Sequence, residues 1–434
     1  MSRFASSNGI VKHMNNAAID PKPTDWNGQV MQKRIASRYA AERRFKAMGF
    51  LAVALSTLFL AFLLFTMLGQ GLLGFQRTEV AVDFDFPALT SGATAASISG
   101  ANADAALNSM DIPGVLDLAV GQQYGEQGSS FLTSAAAANV RQRLASNPDL
   151  IVGKQRLWLP AESRIDIAYK RRGEPVAERA VATLTEKDAL RTGFNWTFLT
   201  GADATDPSSV GIWAAFKGSL MTMAITLLLA FPIGVFTALY LEEYAAKNRM
   251  TDMIEVSINN LAAVPSIIFG LLGLAVFLTL FGMPRSSALV GGLTLALMTM
   301  PVIVIAGRNA VKSVPPSIRE AALGIGASPI QVVFHHVLPL ALPGILTGTI
   351  IGMARALGET APLLMIGMRA FIPSAPQGFT DAATALPVQI YLWSDEVNQG
   401  FVEKTSAAII VLLIFLLGMN ALAIYLRNRF ETRW

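Results

Sequence analysis

The fold is decided by one stretch, Pro315-Pro-Ser317-Ile-Arg-Glu320-Ala-Ala-Leu-Gly324-Ile-Gly326, which continues through Ser328-Pro-Ile-Gln331 to His335-His-Val-Leu-Pro339. Ser317 with Glu320, and Ser328 with Gln331, have the spacing of capping boxes, so each pair predicts the start of a helix. Glycines between the two starts allow a sharp break. We therefore predict a polar hairpin of two short helices that precedes a longer apolar helix. Neither short helix has an apolar face large enough to bury, so we expect a partner protein to cover it.

The apolar helix that follows the hairpin carries two unusual patterns. Small residues recur every fourth position at Gly344, Gly348 and Gly352, which favours close packing against another membrane helix. Arg355 and Glu359, four residues apart, are predicted to share one side of this helix, with Arg355 facing inward rather than toward lipid. A charge in the middle of a span costs about 2.5–3.5 kcal/mol, whereas an exposed pair returns only about 0.3–0.5 kcal/mol. The two charges therefore indicate an anion site, or alternatively a structural ion pair that fixes helix packing.

Composition places the chain among membrane proteins. Of its 434 residues 53% are hydrophobic and only 15% are charged, and the mean hydropathy is +0.46. The chain has no cysteine and three histidines, which excludes a disulfide framework and predicts no metal site and no zinc enzyme. The net charge is +4, and the basic residues lie at membrane boundaries rather than in one patch. Nucleic acid is therefore not an expected partner.

Charge patterning predicts the topology. Residues 1–46 form a polar tail, which we expect to be flexible and cytoplasmic because it ends in a basic cluster, and 47–74 form an uncleaved first span. Further apolar runs lie at Gly218–Leu241, Val256–Met283, Ser286–Gly307, the helix after the hairpin, and Thr405–Leu426. Six spans with both termini in the cytoplasm place three groups of basic residues inside, namely Lys247 with Arg249, Lys312 with Arg319, and the C-terminal arginines. Pro265 is expected to kink the third span, and Asn259 and Asn260 before it are polar candidates for a substrate path.

Residues 75–210 differ in composition, being polar and rich in alanine, serine and glycine. The alternation Arg164-Ile-Asp-Ile-Ala-Tyr169 predicts a half-buried strand, Arg172-Gly-Glu-Pro175 predicts a turn before a second extended run, and Ser134–Leu144 predicts a helix. The topology places this segment outside the membrane, as a mixed α/β periplasmic insertion. It is either a passive folded insert or a docking surface for a substrate-binding protein.

Two groups of residues carry a family resemblance. The set Glu320, Ala321, Ala322, Gly326, Leu338 and Pro339 resembles the EAA loop of ABC-importer permeases, although His336 stands where that loop usually has an apolar residue. Arg355 with Gly358-Glu-Thr-Ala-Pro-Leu-Leu364, together with Tyr240–Tyr244 and Val264–Ile268, is similar to the PstA-type permease of the phosphate importer. The resemblance covers roughly residues 211–429.

The resemblance implies an all-α polytopic permease of the bacterial inner membrane, with a MetI-like core at 211–434 and a cytoplasmic coupling loop at 313–339. It implies phosphate as substrate and three partners: a PstC-type permease, a PstB-type ATPase dimer and a PstS-type phosphate-binding protein. The chain has no GxxxxGK[ST] motif for ATP, so we expect a transport subunit without catalysis or cofactors, surrounded by membrane lipid. The open alternatives are a permease for sulfate or molybdate, or a membrane sensor or scaffold with an external ligand-binding domain.

The predicted substrate path includes Arg355, Glu359 and Thr360, with Asn260 as a further polar candidate. One position departs from the pattern. PstA-type chains carry an Arg-Thr-Thr-Glu run shortly after the proline that matches Pro301, whereas here Arg308 comes a turn later and the glutamate is missing. Arg308 is therefore either a displaced substrate residue or a charge at the cytoplasmic boundary of its span.

Overall fold

A computed structural model describes residues 28–90, 95, 98, 103–171 and 174–430. Residues 1–27 of the expected tail, Arg172 and Gly173 of the expected turn, and Arg433 of the C-terminal basic cluster lie outside the described residues. The chain forms two compact units, which meet in sequence between Phe65 and Thr66.

Helix α1 spans Gln29–Gly74 as one helix of 46 residues. It begins well before Ala47, so the expectation of a flexible tail up to residue 46 is wrong for the described part of that segment. The reason is local: residues 29–46 contain no glycine or proline, are rich in strong helix formers, and include the i,i+4 pair Glu42–Lys46 at 2.6 Å. Within the first unit the apolar side chains of α1 are exposed, as in Phe50 and Leu58, which suits a helix surrounded by lipid.

The segment after α1 contains a three-stranded antiparallel sheet. Its strands are β1 (Gln76–Asp85), β2 (Lys154–Pro160) and β3 (Leu190–Phe194), in the order β2-β1-β3. The register pairs Val80 with Leu159 on one side and with Leu190 on the other. Residues 78–82 of the central strand are all buried, because helices cover the sheet. These helices are α2 (Phe86–Leu89), α3 (Ala103–Ser109), α4 (Ile112–Tyr124), α5 (Ala136–Ser146), α6 (Ser163–Lys170) and α7 (Pro175–Glu186).

Two expectations for this segment are wrong and one is confirmed. The residues around Arg164–Tyr169 form helix α6 instead of a strand, and α7 replaces the second extended run. Glu162 caps α6 by accepting a hydrogen bond from Arg164 N, and Pro175 occupies the first turn of α7, where a proline is tolerated. The alternation of apolar residues was too short to distinguish a strand from a helix. The expected helix at Ser134–Leu144 is present as α5, shifted by two residues.

A buried group of charges joins this segment to the last span, α18 (Gly400–Phe430). The Lys170 ammonium donates to Leu73 O at 3.1 Å, Asp166 Oδ2 at 2.7 Å and Glu403 Oε2 at 3.4 Å. Lys404 donates to Gly74 O at 2.9 Å. Two cations thus bind carbonyls at the C-terminus of α1, where the helix dipole favours positive charge.

The remaining helices form the apolar bundle. After α8 (Trp196–Thr200) come α9 (Trp213–Leu239), α10 (Arg249–Ala262), α11 (Ser266–Gly273), α12 (Ala288–Lys312), α13 (Pro316–Gly324), α14 (Pro329–Gln331), α15 (Leu338–Gly358), α16 (Ala361–Met365), α17 (Leu386–Ser394) and α18. Among the described residues, five helices are long and apolar enough to cross a membrane, or six if α10 and α11 are counted together as one span.

The expected third span is broken at the predicted position. Helices α10 and α11 differ in direction by 100°, with Pro265 capping the start of α11. A proline cannot donate the hydrogen bond that would continue α10, and it disfavours helical backbone in the residue before it. The kink expected at Pro265 is therefore present as a break between two helices, the second of which continues through a π-helical segment, Leu274–Leu280.

Helix α12 lies at the centre of the bundle and packs on α9 and α15. The three glycines Gly344, Gly348 and Gly352 of α15 lie against α12. A Cβ at Gly344 would lie 2.7 Å from Ala310 Cβ, and one at Gly352 would lie 3.0 Å from Thr299 Cγ2. At Gly348 it would overlap Ala306 Cβ. The small residues thus allow the two backbones to approach closely.

The hairpin before α15 differs in part from the prediction. Ser328 and Gln331 form the expected capping box. Ser317 does not cap α13, because Pro315 is the N-cap residue and Ser317 already lies inside the first turn. The second short helix also does not stand alone, since α14 runs through a π-helical turn at Val332–Val337 directly into α15. Gly326, in the break, has φ +90°, a conformation that strongly favours glycine.

Candidate functional site

An ion pair lies at the end of α15. Arg355 Nε is 3.4 Å from Glu359 Oε1, and the side chain of Glu359 is mostly buried while that of Arg355 is 47% exposed. Arg355 occupies the last turn of the helix, whereas Glu359 follows it with extended backbone. The expectation that both residues share one helix face is therefore wrong, although the pair itself forms.

The helix ends here for a local reason. Gly358 weakens the last turn, and Pro362 lacks the N–H that a continuing helix would need. Helix α16 then starts afresh at Ala361, with Pro362 in its first turn. The break lets the Glu359 carboxylate turn back toward Arg355. It also leaves Thr360, the residue before α16, half-buried and without a side-chain cap hydrogen bond.

The surroundings of this pair show what it could contact. A Cβ at Gly270 of α11 would lie 2.7 Å from Pro362 Cα, so the second half of the bent pair packs tightly beside the break. Arg355 itself is exposed on the surface of this chain and does not face its interior as expected. Its guanidinium therefore has donors to offer to a group outside the chain, and a planar guanidinium suits the oxygens of an oxyanion.

Three other candidate residues lie apart from this pair. Asn259 and Asn260 are exposed at the C-terminal end of α10, and within the described chain neither forms a side-chain hydrogen bond with Arg355 or Glu359. Arg308 is buried in α12, with NH2 2.5 Å from Glu255 Oε1 and Nε 3.5 Å from Glu242 Oε2. Two carboxylates already compensate its charge.

The hairpin presents a second candidate surface. Glu320 and Ala321 of α13 are exposed, while Ala322 is buried against the bundle. Near them lie large apolar side chains that the described residues leave exposed, namely Leu323, Ile325, Ile330 and Phe334. Exposed apolar residues around a tight break are typical of a surface that another protein covers. Leu338 and Pro339 lie at the start of α15, half-buried, and direct that helix back into the bundle.

Sequence reasoning missed three acidic residues that the fold makes important. Glu242 and Glu243 lie in the π-helical turn Tyr240–Tyr244 at the end of α9, and Glu255 lies on α10. All three pair with basic residues of α12 or α13. The sequence feature that could have identified them is the presence of acidic residues at the ends of otherwise apolar runs. Across the described residues, no cluster of three or more His, Cys, Asp or Glu side chains could hold a metal ion.

Two family models match the chain. Residues 230–434 match the "Binding-protein-dependent transport system inner membrane component", and residues 32–178 match a "Domain of unknown function (DUF3333)". Among solved structures, an inward-facing MetNI methionine ABC transporter covers 51% of this chain and 98% of its own, at 19% identity and a TM-score of 0.41.

Curated relatives are similar over the bundle. The "Phosphate transport system permease protein PstA 1" of Mycobacterium tuberculosis (strain CDC 1551 / Oshkosh) is 32% identical over 206 residues, 47% of this chain and 66% of that protein. The "Phosphate transport system permease protein PstA" of Mycobacterium leprae (strain TN) is 32% identical over 215 residues, 48% of this chain and 68% of that protein. The bundle, its bent pair and these matches agree: the chain belongs to the family of binding-protein-dependent transport system inner membrane components, and within it resembles the PstA-type permeases.

Proposed function

We propose that this chain is a permease subunit of an ATP-driven importer for inorganic phosphate. In this proposal it forms half of the translocation path in the bacterial inner membrane. A homologous PstC-type permease supplies the other half, a PstB-type ATPase dimer supplies the energy, and a PstS-type protein delivers phosphate. The chain itself catalyses no reaction. The similarity to relatives named as phosphate permeases supports the substrate class.

The observation that carries the proposal is the half-exposed Arg355 held by the mostly buried Glu359. A guanidinium in a membrane protein persists where it lines water, a substrate or a partner. Glu359 accepts from Nε, which leaves the two terminal nitrogens free to donate to phosphate oxygens in parallel. Glu359 can also accept the proton of a monohydrogen phosphate. Thr360, next to the pair, offers a further hydroxyl along the path.

The hairpin supports the second half of the proposal, coupling to an ATPase. Its exposed apolar side chains include Ile325 at 84% exposure, and the described residues leave them uncovered. Helix α14 continues into α15, so a push on the hairpin is transmitted directly along the helix that carries Arg355. In this proposal residues 313–339 are the cytoplasmic coupling loop.

The test uses the complex purified with its co-expressed partners and reconstituted in vesicles. Phosphate, rather than sulfate or molybdate, should stimulate ATP hydrolysis and accumulate inside. Arg355→Gln should abolish uptake while the complex stays assembled, and Arg285→Gln, an exposed arginine in a short connection, is the matched control. Stimulation by sulfate or molybdate would indicate the other oxyanion permeases, and absence of any ATP-dependent uptake would favour a sensor or scaffold.

A charge exchange separates a substrate role from a packing role. If Arg355 only pairs with Glu359, then Arg355→Glu combined with Glu359→Arg should restore the pair and recover uptake. If Arg355 binds the anion, the exchange moves the positive charge from the helix end into the following break, and uptake should stay lost. Recovery of phosphate uptake in the exchanged variant would overturn the anion-site assignment.

A further inference from the structure

Six charged side chains form ion pairs at the end of the bundle where α13 lies. Glu242 and Glu243 are adjacent in the π-helical turn that ends α9, in which Ala245 N donates to Tyr240 O at 2.8 Å. The two carboxylates have different partners. Three acidic residues (Glu242, Glu243 and Glu255) and three basic residues (Arg308, Lys312 and Arg319) make up the group, which we name the junction network.

Arg319 fixes the hairpin to two helices at once. Its NH2 lies 2.7 Å from Glu243 Oε1, and its Nε lies 3.1 Å from the same oxygen. The remaining donors bind the last carbonyls of the α12 region, Val314 O at 2.7 Å and Val311 O at 3.0 Å. A planar guanidinium with this many simultaneous bonds has little freedom to rotate. Helix α13 is therefore tied in orientation as well as position to α9 and α12.

The other half of the network reaches the bent pair of helices. Glu242 Oε2 lies 3.5 Å from Arg308 Nε and 3.6 Å from Lys312 Nζ. Arg308 NH2 binds Glu255 Oε1 at 2.5 Å. Glu255 belongs to α10, a helix in which no side chain is buried. Since none of its side chains is fully buried, the ion pair is one of the contacts that hold α10 against α12.

We infer that the junction network is the link through which movement of α13 reaches α10. The inference rests on the proposed coupling function of the hairpin and assigns Glu243, Arg319, Arg308 and Glu255 as positioning residues for it. The contacts are continuous from α13 through α9 and α12 to α10. Helix α10 leads into the Pro265 break, and α11 beyond it packs beside the segment that follows Arg355. A displacement of the hairpin would thus reorient α10 and α11, together with the anion site proposed at Arg355.

Glu255→Gln is the decisive variant, because Glu255 lies on α10 and pairs with Arg308 of α12, at the opposite end of the network from Arg319 of α13. Its amide cannot carry the charge that Arg308 requires, while its partial exposure makes the substitution tolerable for folding. Asp252→Asn is the matched control, an exposed carboxylate on the same helix. In the purified complex, Glu255→Gln should retain the ATPase subunit but hydrolyse ATP with little dependence on substrate, and uptake should fall roughly tenfold. Asp252→Asn should behave like the unmodified chain.

A distance measurement tests the link without any transport assay. The chain has no cysteine, so Ser317→Cys on α13 and Ser257→Cys on α10, both exposed, can carry spin labels. The unmodified network should give one narrow distance distribution, and Glu255→Gln should broaden it in the isolated chain. A distribution and an ATPase coupling that are both unchanged by Glu255→Gln would overturn the inference. Loss of phosphate transport by the unmodified complex would instead overturn the proposed function, leaving the distance result valid.

Discussion

At the scale of single residues, the structure shows different surroundings for two arginines that the sequence analysis named as candidates for the substrate path. Arg308 is buried between Glu242 and Glu255, whereas Arg355 has one carboxylate partner and is half exposed. A buried charge is costly to leave without a partner, and two carboxylates keep Arg308 paired and fix its position. Arg308 therefore fits a positioning role, and Arg355 fits contact with a ligand.

A third ionisable residue gives a prediction about pH. Burial raises the pKa of Asp203 above its usual value, although hydrogen bonds from Trp393 Nε1 and Ala204 N oppose the shift. An acid whose pKa is higher in the folded state binds more protons there than in the unfolded state. Its contribution to stability is therefore present at low pH and is lost as pH rises through the range between the two pKa values.

Asp203→Asn should consequently raise the unfolding temperature of the purified chain near pH 7. The amide oxygen can still accept from Trp393 Nε1, at 3.0 Å in the parent chain, and no charge is left to desolvate. The advantage should shrink on acidification from pH 7, because the carboxyl of the parent chain then takes up a proton. Thermal unfolding of both proteins across this pH range is the measurement. An advantage that grows on acidification would contradict the explanation.

At the scale of helices, the contact between α12 and α15 depends on residue size. Gly348→Ala should destabilise the bundle by about 1–3 kcal/mol, because the added methyl group overlaps Ala306 Cβ and forces the helices apart. The control is Gly418→Ala in α18, where the added Cβ meets no atom within 4 Å. Alanine is the better helix former, so that change should be neutral or stabilising by up to about 1 kcal/mol.

Unfolding of both glycine variants in a denaturant series provides the comparison. Equal effects of the two substitutions would mean that helix propensity, rather than the close approach of α12 and α15, decides the outcome.

The same pair of variants also bears on transport. Since α15 carries Arg355 and continues from the hairpin, a wider spacing between α12 and α15 should reduce uptake only in Gly348→Ala.

At the scale of the whole molecule, the buried charges at Lys170, Glu403 and Lys404 hold the sheet-containing segment on the ends of α1 and α18. The side chains of Lys170 and Glu403 are at most 7% exposed. Close packing supports this attachment, since a Cβ at Gly74 would overlap Glu403 O. The segment is therefore attached by buried ion pairs and close packing to Leu73, Gly74 and the start of α18.

The topology of the chain is a prediction at this same scale. The basic residues 33–46 and Arg427 with Arg429 predict that both termini are cytoplasmic and that residues 75–210 lie outside. Ser129→Cys and Asn428→Cys are both at exposed positions in a chain without cysteine. In cells with a sealed inner membrane and a permeable outer one, an impermeant thiol reagent should label only Ser129→Cys. Labelling of Asn428→Cys under these conditions would invert the predicted orientation.

The sequence by itself determined the features that neighbouring residues control. These are the apolar spans, the capping box of Ser328 and Gln331, the break at Pro265, and the positive φ of Gly326. Each depends on the backbone chemistry of a few adjacent residues, so a local pattern is sufficient. A local pattern can also be ambiguous. The prediction of a strand at Arg164–Tyr169 was wrong because six alternating residues fit a helix as well as a strand.

Only the tertiary structure decided which charges meet. Arg308 finds Glu255 across 53 positions of sequence and Arg319 finds Glu243 across 76, while Lys170 and Glu403 are 233 positions apart. No local signal specifies such pairs, because each charge is acceptable alone at the end of an apolar run and gains its partner only when helices pack. The 100° bend between α10 and α11 is of the same kind. Proline permits the break, but the packing of α11 on α16 and the pairing of Glu255 with Arg308 set its direction.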